Sequence, residues 1–346
     1  MKRMLKVLLL GCLGLGIFGG GLAAWILWGD NTRTYADDRG VHLPVGTRLS
    51  DAADSLMTRG ILDRRWSFVL LAEATGWGDQ IKAGHYTFTA PQSNKAILDK
   101  LRFGQQTSVR IMIPAGSRPE RIAGLAARNM AFSAEEFLAA LKDAELAASL
   151  GTDTLHLFTY MLPDTYYEFW LTDAPGVVRR IKREFDRYFA RELADSAAAL
   201  DLTLPEVVSL AAIVEWETNV NQEKSTIAGV YLNRLHRQWP LQADPTVQYA
   251  LIELEGGKRR LLFRDYRIDH SYNTYRFRGL PPGPITNPSR SSLESTVRAG
   301  RHDYMFFVAK PGGGHAFNVT LSGHNRDAAV LRRYLRERRR IEAAAQ

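Results

Sequence analysis

Cysteine is almost missing from this chain. Its single occurrence is Cys12, so no intramolecular disulfide can form and the fold must be held by its core. Metal-binding spacing is missing too. His302, His315 and His324 stand 13 and 9 residues apart, unlike the short spacings that hold zinc, and neither a metal nor a cofactor is expected. Acidic residues are the minority, 37 against 45 Lys plus Arg, which gives a net charge of +8 and a pI near 9.6. That balance points to an acidic partner: nucleic acid, anionic lipid headgroups or an acidic polymer. Part of the charge is local, because LRRYLRERRR at 331–340 carries six arginines, a run that a solvated helix end also explains. A hydrophobic content of 45% excludes a chain disordered by composition.

Long hydrophobic runs are also scarce. The one present is uncharged from Val7 to Trp28, and its 22 residues at about 1.5 Å each match a hydrocarbon layer of about 30 Å. Lys2, Arg3 and Lys6 precede it, and no A-x-A-like cleavage site is visible before Asp30. The run therefore reads as one uncleaved transmembrane helix with a cytoplasmic N-terminus. Everything after Asp30 is then extracytoplasmic, which argues against nucleic acid as a partner. Gly16 and Gly20 form a GxxxG spacing that chance explains in so glycine-rich a span.

Beyond the anchor lies an internal repeat. VHLPVGTRLSDAA at 41–53 aligns at an offset of 70 with IMIPAGSRPERIA at 111–123, matching Pro44 to Pro114, Gly46 to Gly116, Arg48 to Arg118 and Ala53 to Ala123. Each copy reads as a short strand, a Pro-x-Gly turn, a capping hydroxyl and a helix. HYTFTAPQSNKAILDKL at 85–101 repeats that plan, with Tyr86 and Phe88 alternating in its strand. A small α/β module from about Val41 to Gln105 follows. Helical patterns dominate 118–201, including one helix over 134–150 and another over 174–200. RGLPPGPITNP is an ordered loop, YMFFVAK at 304–310 a buried strand, and PGGGH the turn of a hairpin into HAFNVTL. The larger domain is thus α+β.

AAIVEWETNVNQEKSTIAGVYLNRL at 211–235 sets Glu215 and Glu217 in a run otherwise built like a buried helix, with Thr203 as N-cap and Pro205 in the first turn. Glu217 shares the stripe of Val207, Leu210 and Val214, whereas Glu215 shares that of Leu204, Val208 and Ala211. The two lie about 200° apart, so at most one faces a given cleft. The bland alternative is that both are rim residues of a partly exposed helix.

IVEWET at 213–218, YLNRL at 231–235, LQADPTVQYAL at 241–251, SYNTYRFRGLPPGPITNP at 271–288, HDYMFFVAKPGGGHAF at 302–317 and HN at 324–325 stand in an order that resembles the MltG (YceG-like) endolytic murein transglycosylases. LPDTYY at 162–167 is similar to a further family element, with Phe158 and Thr159 where Glu-Gly is usual. The resemblance implies an N-terminal segment (1–6), a transmembrane helix (7–28), a LysM-like α/β subdomain (29–107), a mixed α+β catalytic domain (108–338) and a tail (339–346). LysM-like modules bind glycan chains, but no aromatic platform is obvious here and a spacer is an equal reading.

The resemblance further implies a lyase of the inner membrane with its catalytic domain outside the cytoplasm. It would cut the MurNAc-GlcNAc bond within nascent glycan strands to leave 1,6-anhydroMurNAc ends and terminate elongation. Its substrate would be peptidoglycan, and its candidate partners the peptidoglycan synthases of the elongation or division machinery. Such an enzyme needs one carboxylic acid held protonated near neutral pH, which desolvation on an apolar helical face supplies. Similarity to soluble lytic transglycosylases, where a hydroxyl residue follows the acid, favours Glu217 with Thr218; Glu215 is the alternative. Asn233, Gln242, Asp244, Thr246, Tyr272, Asn273, Tyr275, His315 and Asn325 are the expected substrate contacts, while His302 fits a local turn. A muramidase with Asp244 as second carboxylate and a non-catalytic wall-binding protein remain the rivals. Stem-peptide carboxylates would suit a basic groove.

Overall fold

The computed structural model describes residues 2–32 and 39–344. Met1 of the N-terminal segment, 33–38 of the expected subdomain and 345–346 of the tail lie outside the described residues. The chain divides into a smaller unit, mainly 1–110 with 129–131 and 167–172, and a larger one of 111–128, 132–166 and 173–346.

In the smaller unit, α1 (Lys2–Trp28) carries the only stretch among the described residues long and apolar enough to cross a membrane, Arg3–Trp28. Its last turn joins the unit's core. Ile26 is buried there, Trp25 meets Trp66 at 6.3 Å between ring centroids, and Asn94 donates to the Ile26 carbonyl at 2.9 Å. Asn31 continues the attachment, donating to Arg64 O at 2.9 Å and accepting from Arg64 N at 2.8 Å. Then follow β1 (Arg39–Leu43), α2 (Leu49–Thr58), α3 (Arg65–Thr75), β2 (Gly84–Phe88) and α4 (Asn94–Phe103). β1 and β2 pair antiparallel with Val41 opposite Tyr86, so the alternating Val41, Leu43, Tyr86 and Phe88 all enter one core with helix residues such as Leu56, Phe68 and Leu98.

The repeat is visible in the backbone. β3 (Val109–Ile113) leads into α5 (Pro119–Ala127) as β1 leads into α2, with Gly46 and Gly116 at φ of 83° and 66°. The N-caps Arg48 and Arg118 share φ, ψ of −83°, 164° and −82°, 163°. The expected hydroxyl caps sit one residue too early for that role. Thr47 instead donates back to Pro44 O at 2.6 Å, and Ser117 N donates to Asn287 Oδ1 at 2.8 Å. In the third copy, Ser93 is a true cap, accepting from Ala96 N at 3.3 Å.

The chain continues with α6 (Ala134–Leu141), α7 (Ala144–Ser149), β4 (Asp164–Glu168), which pairs with β3 and of which 164–166 belong to the larger unit, α8 (Ala174–Glu192) and α9 (Ala194–Ala198). Both long helices expected over 134–150 and 174–200 are therefore split. The first breaks because Asp143 leaves the helix to cap α7, accepting from Glu145 N and Leu146 N at 2.9 and 3.0 Å. The second breaks at Leu193, whose side chain turns into the core.

α10 (Leu204–Glu217), α11 (Asn221–His236) and α12 (Asp244–Glu255) then form the heart of the unit, with α13 (Arg290–Val297) packed on α10 and α11. Thr203 and Glu206 close α10 with a reciprocal capping box. The 211–235 run is two helices and not one. Thr218 swings to an extended conformation and its hydroxyl accepts from Val220 N at 3.0 Å, so Glu217 is the last helical residue of α10. β5 (Phe306–Ala309) and β6 (His315–Asn318) make the expected hairpin, and α14 (Leu321–Ala344) ends the description, carrying helix through most of the expected tail. β5 is half-buried and not fully buried, because β6 is its only sheet neighbour among the described residues and its side chains line an open cavity.

Candidate active site

Ending a helix at Glu217 places its carboxylate over a cleft in the larger unit. On one side is a cavity of about 400 Å³, lined by Glu217, Arg234, Gln242, Asp244, Tyr275, His315, His324 and β5. On the other is a cavity of about 570 Å³ that shares Glu217 and Asp244 and adds Trp216, Gln248, Lys258, Arg260 and Tyr266. Glu217 and Asp244 thus stand at the junction of two arms.

The surroundings of Glu217 are built to keep a proton on it. Val214, Leu210 and Ile213 of α10 and Leu241 and Ala243 beyond α11 form the apolar cluster beneath. Desolvation, with the charge of Asp244 added, outweighs the opposing pull of the Tyr231 hydroxyl and the Arg234 guanidinium, and Glu217 is pushed up to about 8. Oε2 of Glu217 is buried and finds no hydrogen-bond partner among the described residues. Arg234 is fixed elsewhere, donating from Nε to Met305 O at 2.8 Å and from Nη1 to Leu241 O, so its positive charge is positioned by backbone and not by the acid.

Glu215 faces a different way. Its Oε2 accepts from Ser289 N at 3.0 Å, from the Ser289 and Ser292 hydroxyls at 2.5 Å each, and from Lys224 Nζ at 3.3 Å. Every bond goes to α11 or to the start of α13, where a carboxylate also meets the positive end of the helix dipole. It lines neither arm.

The other expected contacts divide in the same manner. Gln242, Asp244, Tyr275 and His315 line the first arm with Glu217. Gln242 holds a φ of 48°, the left-handed region, with its N–H bonded to Thr274 O at 3.1 Å. Asp244 accepts from the hydroxyls of Tyr275 at 2.6 Å and Tyr266 at 3.4 Å. His315 is held by Glu223, whose carboxylate takes His315 N at 2.8 Å and Nδ1 at 2.7 Å.

Asn233, Thr246, Tyr272, Asn273 and Asn325 do not line either arm. Asn233 donates to His302 O at 2.7 Å and Tyr304 O at 3.0 Å. Buried Thr246 joins Thr274 at 2.8 Å, and buried Asn273 ties down Tyr266 O and Ile268 O at 3.1 and 2.8 Å. Tyr272 stacks on Tyr249 at 4.5 Å, and Asn325 is exposed on α14. His302 closes a local turn, accepting from Tyr304 N at 3.1 Å. Two further polar residues line the first arm, Arg234 and His324, and Glu223 supports it from behind. Of the HN pair at 324–325 it is His324, and not Asn325, that faces the cavity.

A mixed α+β unit whose open cleft presents one desolvated carboxylic acid defines a protein equipped for general acid chemistry. The chain belongs to the YceG-like family, which matches residues 41–330. It is 28% identical over 302 residues to the endolytic murein transglycosylase of Bacillus subtilis (strain 168), covering 83% of this chain and 82% of that one. It is 26% identical over 320 residues to the endolytic murein transglycosylase of Streptococcus pneumoniae, covering 84% of this chain and 57% of the relative. Its fold is similar to the crystal structure of a yceG-like protein of Listeria monocytogenes, with a TM-score of 0.58 at 26% identity over 84% of this chain and 98% of that one.

Proposed function

We propose that this protein is an endolytic murein transglycosylase that cuts the MurNAc-GlcNAc bond inside glycan strands and leaves 1,6-anhydroMurNAc ends. The observation that carries the reading is the position of Glu217, a carboxylic acid pushed up to about 8 between two arms of one open cleft. An internal cut needs sugars bound on both sides of the scissile bond, and a neutral carboxyl at the junction meets the leaving oxygen. Glu217 gives its proton to that oxygen as the bond to the muramyl C1 breaks. The resulting carboxylate then takes the proton of the sugar's own 6-hydroxyl, which closes on C1, so no water is consumed and the acid is restored. Gln242, Tyr275 and His315 line the same arm and are proposed as contacts to the sugars. Asn233, Thr246, Asn273 and Glu215 act on this reading by holding the loops that carry the contacts.

The apolar helix, entered through Lys2, Arg3 and Lys6, is proposed as a single-pass anchor with its N-terminus in the cytoplasm. The cleft then works outside the cytoplasmic membrane, near strands as peptidoglycan synthases release them, and the smaller unit serves as a LysM-like module toward the glycan. The test of the chemistry is release of anhydro-muropeptides from sacculi. Glu217→Gln keeps shape and most hydrogen bonding but cannot donate an acidic proton, so turnover falls by about 10²–10⁴-fold with an unchanged melt. Full activity in that variant removes Glu217 from the mechanism, and reducing ends in place of anhydro ends make the enzyme a hydrolase.

A further inference from the structure

Two cations of the second arm stand apart from the carboxylates around it. Arg259 is satisfied by Glu255 at 2.7 Å and by Asp265 at 2.6 and 2.9 Å. Asp244 is engaged by the two tyrosine hydroxyls already described. Lys258 and Arg260, by contrast, have no carboxylate partner among the described residues, although both line the cavity next to Glu217. Lys258 Nζ lies 3.7 Å from the centre of the Trp216 ring, whose Nε1 is anchored on Gly116 O at 3.0 Å. Burial first, and the nearby charge of Arg118 second, hold the Lys258 ammonium below its ordinary range. Arg118 itself is paired with Glu253 at 2.8 Å and Glu120 at 3.3 Å. Lys258 is exposed yet seated over an aromatic ring, and with Arg260, also exposed, it is open to a counter-anion that a ligand can supply.

We infer that Lys258 and Arg260, with Trp216 as their apolar wall, form a subsite for the carboxylates of a stem peptide carried on the muramic acid beside the scissile bond. The inference rests on the reading of Glu217 as the acid of a murein transglycosylase. A peptide fits this arm better than a phosphate because the cations are set against an indole face and Leu261, which an alkyl side chain covers and a bare phosphate does not. The consequence is specificity. Strands bearing peptides bind and react in preference to strands stripped of them, because the several carboxylates of a peptide can meet both cations, whereas a muramic acid stripped by amidase keeps only the single lactyl carboxylate that the cleavage releases.

The test uses the full chain as Glu217→Gln, which separates binding from turnover. Calorimetry compares uncross-linked glycan strands bearing stem peptides with the same strands after amidase treatment, and inorganic pyrophosphate serves as a competing anion. The expected result is that peptide-bearing strands bind about 10- to 100-fold more tightly at low salt, an advantage that shrinks as salt rises. Adding Lys258→Met and Arg260→Gln, which remove charge while keeping the cover over Trp216, abolishes the advantage. Equal affinity for both strands, an advantage that survives the double substitution, or pyrophosphate displacing stripped strands as well as peptide-bearing ones overturns the subsite. Absence of anhydro ends with the unsubstituted protein sinks the transglycosylase reading instead, and the calorimetry still decides the subsite by itself.

Discussion

At the scale of single residues, the site turns on the difference between a carboxylate that is satisfied and one that is not. Glu215 collects four hydrogen bonds on one oxygen, whereas Glu217 Oε2 has none among the described residues. Asp244 makes that difference titratable. Its charge is the second cause, after desolvation, of the raised Glu217 pKa of about 8. Catalysis by the protonated acid therefore falls as pH rises through about 8, and Asp244→Asn, by removing a negative neighbour, moves that basic limb to lower pH. Rates of anhydro-muropeptide release between pH 5 and 10 check this; a limb that stays in place or moves upward contradicts the assignment. Glu217 was legible as an acid on an apolar helical stripe, and Gln242, Asp244, Tyr275 and His315 as polar and aromatic residues inside the motifs that carry the family resemblance. Thr246 and Asn273 look the same in a sequence, yet they spend their hydrogen bonds on Thr274, Tyr266 and Ile268. Pinning a loop and gripping a ligand use the same side chains, so only the fold tells them apart. Asn325 fails for a simpler reason: one step along α14 is about 100°, which gives the cavity to His324.

Among elements, the junction of α10, α11 and α13 is the structural centre, and Glu215 holds it. Lys224 is almost fully enclosed, its side chain 5% exposed, and Glu215 is its only carboxylate partner among the described residues. Glu215→Ala leaves that ammonium buried and unpaired and takes the acceptor away from Ser289 and Ser292, so the larger unit loses about 3–5 kcal/mol. Combining it with Lys224→Met recovers much of the loss, since neither charge then needs a partner. Urea melts of the two single variants and the double variant measure the coupling, and additive losses would falsify the pairing. Strands and turns of the repeat were readable because Pro-x-Gly turns and period-two alternation are local signals. The breaks at Thr218, Asp143 and Leu193 were not, since none contains Gly or Pro. Each arises from a capping bond or from a side chain drawn into tertiary packing.

On the scale of the whole molecule, the apolar helix is an integral part of the smaller unit, not a tether hung from it. Most of α1 is exposed along its apolar length, as a span in lipid must be, but its final turn is not. Ile26 is 8% exposed within the core, the Arg64 guanidinium lies 4.7 Å from the Trp25 ring centre, and Asn94 needs the Ile26 carbonyl as an acceptor. Asn31, 1% exposed, is then tied to the Arg64 backbone by two hydrogen bonds of its own. With no slack between the end of the helix and the packed unit, a membrane holding α1 also holds the smaller unit at its surface. Two outcomes follow from removing residues 1–28. The shortened chain is extracted from membranes by alkaline carbonate, whereas the full chain stays in the pellet. The smaller unit also loses about 2–4 kcal/mol, because an isoleucine leaves the core and buried Asn94 loses one of its two acceptors, keeping only the Ser67 hydroxyl. Hydrogen exchange at β1, β2 and α4 in detergent compares the two chains directly. Equal protection in both would make the final turn a passive neighbour of the core, and retention of the shortened chain in the carbonate pellet would show that something other than α1 holds the protein to the membrane.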